Sequence, residues 1–415
     1  MRIAIIDPSL FTWPYDSALA LALRAAGHEV ALFGKPRPSQ GAGPAYELLR
    51  AHFYRELDAS VVQWLPRSLF LAIKGASHVW DMRRLLVELR SFRPDVIHVQ
   101  WSPLPVVDRW FMSSLRGIAP LVMTVHDAVP YNGNPRSRLQ GMSATAITAQ
   151  FDRLIVHTKA SLQRLQRSEP LPARIRCIPH GPLGDVPTGE ASLRQPRDPA
   201  QRVTVLLFGQ IKPYKGADVL LHAVAKLPAA IRARVQVRIV GKPLMDIAPL
   251  QALIRDAALD DCVQLEPRFV PEAEVGTLLG SADIIVMPYR EIDASGVLMM
   301  ALGFGLPIIA TRVGLFAELL ADGEHGRLIA VDDVDAFARA LEELVADAAM
   351  RERMGAAARR LLAEIPGWDE IARRTVELYR ELLTEGRGSA MSSHFDSAGT
   401  HGIGQREASA RENIC

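Results

Sequence analysis

Val203-Thr-Val-Leu-Leu-Phe208-Gly209-Gln210-Ile211-Lys212-Pro213-Tyr214-Lys215-Gly216-Ala217 is the stretch that decides the fold. Its first six residues read as a buried strand, Gly209 ends the strand, and Lys215-Gly216 leads into a helix pattern over Ala217–Lys226. Backbone N–H groups at a helix start attract phosphate, and a nearby ammonium adds a point charge. Further on, the strand-like run Ile284–Met287 leads through Tyr289-Arg290-Glu291-Ile-Asp-Ala-Ser295-Gly296-Val297 into a second helix pattern. Two such anion-accepting turns in one half of a chain imply a diphosphate held between them.

Outward from this stretch, short apolar runs alternate with helical patterns in both directions. Before it lie Ile3–Ile6, Glu29–Phe33, Val96–Val99, Leu121–Val125, Leu154–Val156 and Arg176–Ile178; after it lie Val235–Val240, Val263–Leu265, Ile308–Ala310 and Arg327–Ala330. Such runs predict parallel strands buried on both faces. Helices are expected at Ser17–Ala26, Val297–Gly303, Phe316–Leu320, Val334–Ala346 and Trp368–Leu383. Pro182–Gln201 loses this periodicity and collects turn residues. The expected organisation is an N-terminal domain (1–185), a linker (186–201), a C-terminal domain (202–366), one more helix (367–384) and a tail (385–415) too poor in large apolar residues to order itself. The class is α/β, with two doubly wound domains facing across a cleft.

A length of 415 residues with 49% hydrophobic content fits two cores better than one. The net charge of +2 hides an asymmetry: residues 1–185 carry 22 Lys+Arg against 14 Asp+Glu, and the remainder 26 against 32. A basic first half suits an anionic partner, such as lipid headgroups or a phosphorylated acceptor, although no dense basic run occurs and nothing points to nucleic acid. Cys177, Cys262 and Cys415 lie far apart, which fits a reducing cytoplasm and argues against structural zinc or a disulfide framework. No apolar run reaches spanning length, so the expected location is cytoplasmic, with peripheral attachment to the inner face of the membrane left open.

The chain resembles the GT-B-fold glycosyltransferases, in particular the large retaining family four. The resemblance rests on Ile6-Asp7-Pro-Ser, Gly27-His28-Glu-Val, Asp95-Val-Ile-His98, Thr124-Val-His126-Asp127, Ile155-Val-His157-Thr158 and Ile178-Pro-His180-Gly181 in the first half. In the second half it rests on Gly209 with Lys215-Gly216, Ser281-Ala-Asp283, Pro288-Tyr289, Ser295-Gly296-Val297, Gly305-Leu-Pro307, Val313-Gly314 with Glu318, and Asp322-Gly323. It implies two Rossmann-like domains, a nucleotide-sugar donor on the second, an acceptor on the first, and a last helix crossing back to the first domain.

The same resemblance assigns roles. Lys215 stabilises the leaving diphosphate, Gly209 and Gly216 let the backbone approach it, and Ser295, Gly296 and Val297 aim a helix start at it. Where the family has arginine after the first glycine this chain has Gln210, so either some phosphate stabilisation is lost or Lys212 or Arg290 supplies it. The family's two glutamates, eight positions apart, fall on Ile292 and Met300, or with a one-residue slip on Glu291 and Met299. Ribose recognition therefore passes to another group, with Glu318 as candidate; the alternative is that Glu318 caps its own helix. The resemblance places His126 beside the transferred sugar, and Asp127 is held loosely as a base. Trp13 and Tyr15 are candidates for stacking on an acceptor or else packing anchors, and Trp101 and Asn132 are further acceptor-side candidates.

No Gly-x-Gly-x-x-Gly follows Ile3–Ile6, which argues against a nicotinamide enzyme. No metal or cofactor is expected beyond the nucleoside-diphosphate sugar as co-substrate, because Lys215 and a helix start can replace a cation. Two other readings stay open: a non-catalytic sugar-nucleotide-binding or partner-docking protein, and a nucleotide-sugar epimerase.

Overall fold

The computed structural model describes residues 1–36, 44–55, 66–126, 147–168, 174–183 and 201–392. Strands β1 (Arg2–Asp7), β2 (Glu29–Gly34), β3 (Leu49–Ala51), β4 (Val96–Val99), β5 (Leu121–Thr124), β6 (Arg153–Val156) and β7 (Ile175–Cys177) form a seven-stranded sheet in the order β3-β2-β1-β4-β5-β6-β7. Strands β8 (Val203–Phe208), β9 (Val235–Val240), β10 (Val263–Glu266), β11 (Ile284–Met287), β12 (Ile308–Thr311) and β13 (Gly326–Ile329) form a six-stranded sheet in the order β10-β9-β8-β11-β12-β13. Every pairing is parallel. Strands β4, β5, β11 and β12 are buried at each position, which is why they read as unbroken apolar runs.

Each sheet reverses its strand order once, between β1 and β4 and between β8 and β11. Such a reversal opens a crevice beyond the carboxyl ends of the two strands, the usual ligand position in an open α/β sheet. In the first sheet Asp7 and Gln100 lie at or just past those ends. In the second they are followed by Gly209 and by Pro288-Tyr289.

The chain divides into two compact units, the first built from residues 1–126, 147–179 and 368–392 among those described, the second from 180–367. Unit 1 recruits the last helix, Trp368–Ser392, although unit 2 separates that helix from the rest of it. Ile371, Ala372, Val376, Leu378, Tyr379 and Leu382 of this helix are buried in the core of unit 1, beside Leu19 and Leu23 of the first helix. Burying each large apolar side chain contributes about 1.5–3 kcal/mol. The Tyr379 hydroxyl meets His98 Nδ1 at 2.6 Å.

Three local readings change. The first helix begins at Trp13, not Ser17, because Pro14 takes a first-turn position where its fixed φ suits the helix and no N–H is lost. The last helix continues past Leu383 to Ser392, and β3 and the long helix Arg67–Phe92 are elements the sequence reading passed over. Cys262 is a free buried thiol, whereas Cys177 is disulfide-bonded, which corrects the expectation of three separate thiols.

Candidate active site

In unit 2 the loop after β8 is laid along β9: Gly209 N donates to Val240 O at 3.0 Å and Ile211 N to Lys242 O at 2.9 Å. The chain then makes one tight turn, Pro213–Lys215, and enters helix Ala217–Ala225 at Gly216. Gly209 has φ +113, and a Cβ there would stand 2.7 Å from Lys215 Nζ. Gly216 has φ +66, and a Cβ there would stand 2.0 Å from Pro288 O. Both glycines are thus required by backbone conformation and by close approach. Lys215 is buried, with its ammonium 5.0 Å from the centroid of the Tyr289 ring. Packing a cation over an aromatic face is favourable even where water is excluded. The Tyr289 hydroxyl is buried and has no hydrogen-bond partner among the described residues; burial raises its pKa.

Helix Gly296–Gly303 begins at the same place. Ser295 is its N-cap, with Oγ accepting from Leu298 N at 3.2 Å. The Val297 side chain comes within 3.7 Å of the point a Gly209 Cβ would occupy. The fold therefore brings together Gly209, Lys215, Gly216 and the start of the Ser295–Val297 helix. A turn with an embedded ammonium and a helix N-terminus converge beyond the β8–β11 reversal, and that combination can hold an anion.

Arg290 does not join them. Its guanidinium donates to Asp218 Oδ2 at 2.7 Å, Asp332 Oδ1 at 2.8 Å and Pro213 O at 2.8 Å, and its own N–H donates to Tyr214 O at 2.7 Å. The expectation that it supplies charge to a diphosphate is corrected: it braces the turn that carries Lys215. Hydrogen bonding to Asp218 raises its pKa. Lys212 is half-buried, its ammonium 5.7 Å from the Tyr214 ring centroid, and Gln210 is half-buried in the same loop. Glu291 is half-buried after β11, while Met299 is buried on the helix and Met300 half-buried. Glu318 is exposed near the end of helix Gly314–Leu319, whose N-cap is Val313, so it does not cap that helix's start.

In unit 1, His126 is buried just past β5. Its Nε2 faces Gln100 Oε1 at 3.1 Å and its Nδ1 faces His157 Nε2 at 3.2 Å. His157 Nδ1 lies 2.9 Å from Ile178 O, which can only accept, so that nitrogen carries the hydrogen. Tyr15 presents its ring edge-on to His126, with centroids 4.8 Å apart. Tyr15 and Trp13 are both core residues, so of their two readings the packing anchor holds and the free stacking face does not: starting the helix at Trp13 turns them inward. Trp101 is half-buried and stacked on Phe11 at 4.6 Å. Asp127 and Asn132 lie outside the described residues. Gln100 and Tyr289 were missed as supporting groups in the sequence, and His157 was visible only as part of a family motif.

Beneath the same edge, Asp7 caps the first turn. Its Oδ1 accepts from Ser9 N at 3.0 Å and its Oδ2 from Thr12 N at 3.1 Å. Thr12 Oγ1 also reaches Asp16 at 3.1 Å, and burial, then the charge of Asp7, pushes the Asp16 pKa well up. Among the described residues no group of three or more His, Cys, Asp or Glu is placed to hold a metal ion, and no helix is long and apolar enough to cross a membrane.

Comparison with known proteins agrees with this geometry. Residues 202–347 match the family described as glycosyl transferases group 1, and residues 12–181 match the glycosyl transferase 4-like domain. D-inositol 3-phosphate glycosyltransferase of Streptomyces griseus is 28% identical, covering 92% of this chain and 86% of its own. Among solved structures, sucrose-phosphate synthase of Thermosynechococcus elongatus superposes with TM-score 0.71 at 21% identity, over 93% of this chain and 100% of that one. Anabaena HepE, in complex with UDP and glucose, superposes with TM-score 0.69 at 16% identity, over 92% and 100%. With both sheets, both family matches and these superpositions in agreement, the chain belongs to the GT-B-fold glycosyltransferases of the GT4 superfamily.

Proposed function

We propose that the protein transfers a hexose-like sugar from a nucleoside-diphosphate sugar, with retention, to a glycan or lipid-linked acceptor. The observation that carries this reading is the seating of Lys215, between the missing Cβ of Gly209 and the ring of Tyr289, beside the Ser295-capped helix. As the anomeric C–O bond breaks, charge develops on the leaving diphosphate. A pre-set ammonium and oriented N–H groups stabilise that charge without reorganising, usually the largest catalytic term. Transfer in this scheme needs no metal, because the positive charge comes from the chain itself. Gln210 and Lys212 border the diphosphate, and Glu291 and Glu318 are the carboxylates available for the ribose. His126, fixed by His157 and Gln100, contacts the transferred sugar. Asp127 is the candidate base, and Trp101 and Asn132 belong to the acceptor side. The Streptomyces relative, a D-inositol 3-phosphate glycosyltransferase, adds a small phosphorylated acceptor outside those two classes, and inositol 3-phosphate is therefore tried beside them.

Thermal unfolding against UDP-, GDP-, ADP- and dTDP-sugars tests the donor half. A donor at 100 times its Kd adds about 2.7 kcal/mol of stability. A shift with one nucleotide class, lost in Lys215→Ala, supports the assignment; no shift with any donor overturns it. The methionine, Met300 or with a one-residue slip Met299, at the position the family resemblance gives to a glutamate favours the non-catalytic alternative, which predicts a thermal shift without turnover of any donor–acceptor pair.

A further inference from the structure

Helix Arg67–Phe92 of unit 1 is apolar on two faces. One face, with Met82, Leu85, Leu89 and Phe92, is buried in the unit. The other carries Leu69, Ile73, Trp80, Arg83, Val87 and Arg90, all exposed: Leu69 by 47%, Trp80 by 61% and Val87 by 66%. At about 100° per residue these six positions share a band about 100° wide, and at 1.5 Å per residue it runs about 31 Å. No exposed position described on this helix is an aspartate or glutamate. Asp81 is buried, accepting from Tyr54 N, and Glu88 is turned to His52 at 2.8 Å and Arg50 at 3.4 Å. The segment Pro105–Phe111 is tied to this helix by His78 Nε2 and Asp108 Oδ1 at 2.6 Å, and it adds Trp110, exposed by 71%.

We infer that this face docks the protein on an anionic lipid bilayer. Soluble monomers rarely leave so long an apolar stripe in water. A second copy is a poor occupant, because pairing the stripe with itself buries Arg83 and Arg90 of both copies against a surface that offers no carboxylate. A bilayer suits every residue type present. Trp80, Leu69, Ile73 and Val87 enter the boundary between headgroups and acyl chains, while the arginines remain among the phosphates. The long axis of the stripe then lies in the membrane plane. This inference goes beyond the transfer reaction proposed above and does not depend on it.

Co-sedimentation of the full chain with phosphatidylcholine vesicles, with and without phosphatidylglycerol, tests it. Binding is expected only with phosphatidylglycerol, and it should be lost at about 1 M salt, where the screening length falls to about 3 Å. Arg83→Gln with Arg90→Gln should weaken binding about fivefold per arginine, and Trp80→Ser with Val87→Ser should abolish it. Both double variants should keep the wild-type melting temperature, since the replaced side chains are exposed. The inference is overturned if the wild type stays in the supernatant, if the variants bind as the wild type does, or if binding ignores salt. Retention on immobilised polyglutamate but not on vesicles would also overturn it and give the face to an acidic polypeptide.

Discussion

At the carboxyl edge of β1 the chain turns on an aspartate; at the carboxyl edge of β8 it turns on a glycine. Asp7 answers the N–H groups of Ser9 and Thr12 with its own carboxylate, so the first turn is closed from within. Nearby, His126, Gln100 and His157 hold one another in a chain that ends on the carbonyl of Ile178. Gly209 contributes no side chain at all, and the space it leaves is taken by the Lys215 ammonium. Both sheets offer a crevice at their strand reversal. One edge spends its polar groups on internal geometry, which suits a surface that reads shape. The other concentrates positive charge in a tight turn that glycine keeps clear of side chains, which suits an anion.

The largest expected effect comes from removing that charge. Lys215→Ala should lower kcat/KM by about 10²–10³, the usual cost of one stabilising donor. Gly209→Ala should reproduce most of it, because the new Cβ displaces the ammonium at a φ of +113. A Gly209→Ala enzyme with wild-type kcat/KM would break the contrast between the two edges.

Acid should stress both units. Burial lowers the pKa of His98 to about 3 and of His180 to about 4, against an unfolded value near 6.5. A histidine whose folded pKa is depressed binds its proton only on unfolding. Its contribution is therefore complete above about pH 6.5 and is lost as the pH falls toward the folded values. At pH 5.5 the pair should cost about 2–3 kcal/mol relative to pH 7.5, and His98→Gln should remove about half of that dependence. Urea midpoints at the two pH values measure it; equal midpoints would show that neither ring is held neutral.

Asp7→Asn exchanges a charged acceptor for a neutral one. It should cost about 2 kcal/mol of stability while leaving the affinity for donor unchanged in calorimetry. A loss of donor binding would mean that the edges are not specialised as described. The smallest effect belongs to Ser295→Ala, which removes a helix cap worth about 1 kcal/mol and should weaken donor binding by less than the lysine does.

Much of this was legible in the chain. Val203–Phe208 and Ile284–Met287 coincide with β8 and β11 because fully buried parallel strands leave an uninterrupted apolar signature. Lys215 and the helix start at Ser295–Gly296 were readable because glycine, lysine and serine have local, positional roles. Arg290 was misread because its partners, Asp218 and Asp332, lie 72 and 42 residues away, and no local rule brings them together. The helix was expected from Ser17 when Pro14 lets it open at Trp13, and this left Trp13 and Tyr15 undecided between stacking and packing. Helix Arg67–Phe92 escaped notice for a different reason. With apolar residues on its buried face and also at Leu69, Trp80 and Val87, the one-sided period that marks an ordinary surface helix is blurred.

The attachment of Trp368–Ser392 to unit 1 sets an order of events at the ribosome. Residues 180–367 supply the described part of unit 2 in one continuous run, whereas unit 1 needs Ile371 and Tyr379 to close its core. At a synthesis rate of about 5–20 residues per second, unit 1 waits roughly 10–40 s for its last helix, with His98 lacking its tyrosine. The half made first is finished last, and through that interval it is the half that needs protection by chaperones.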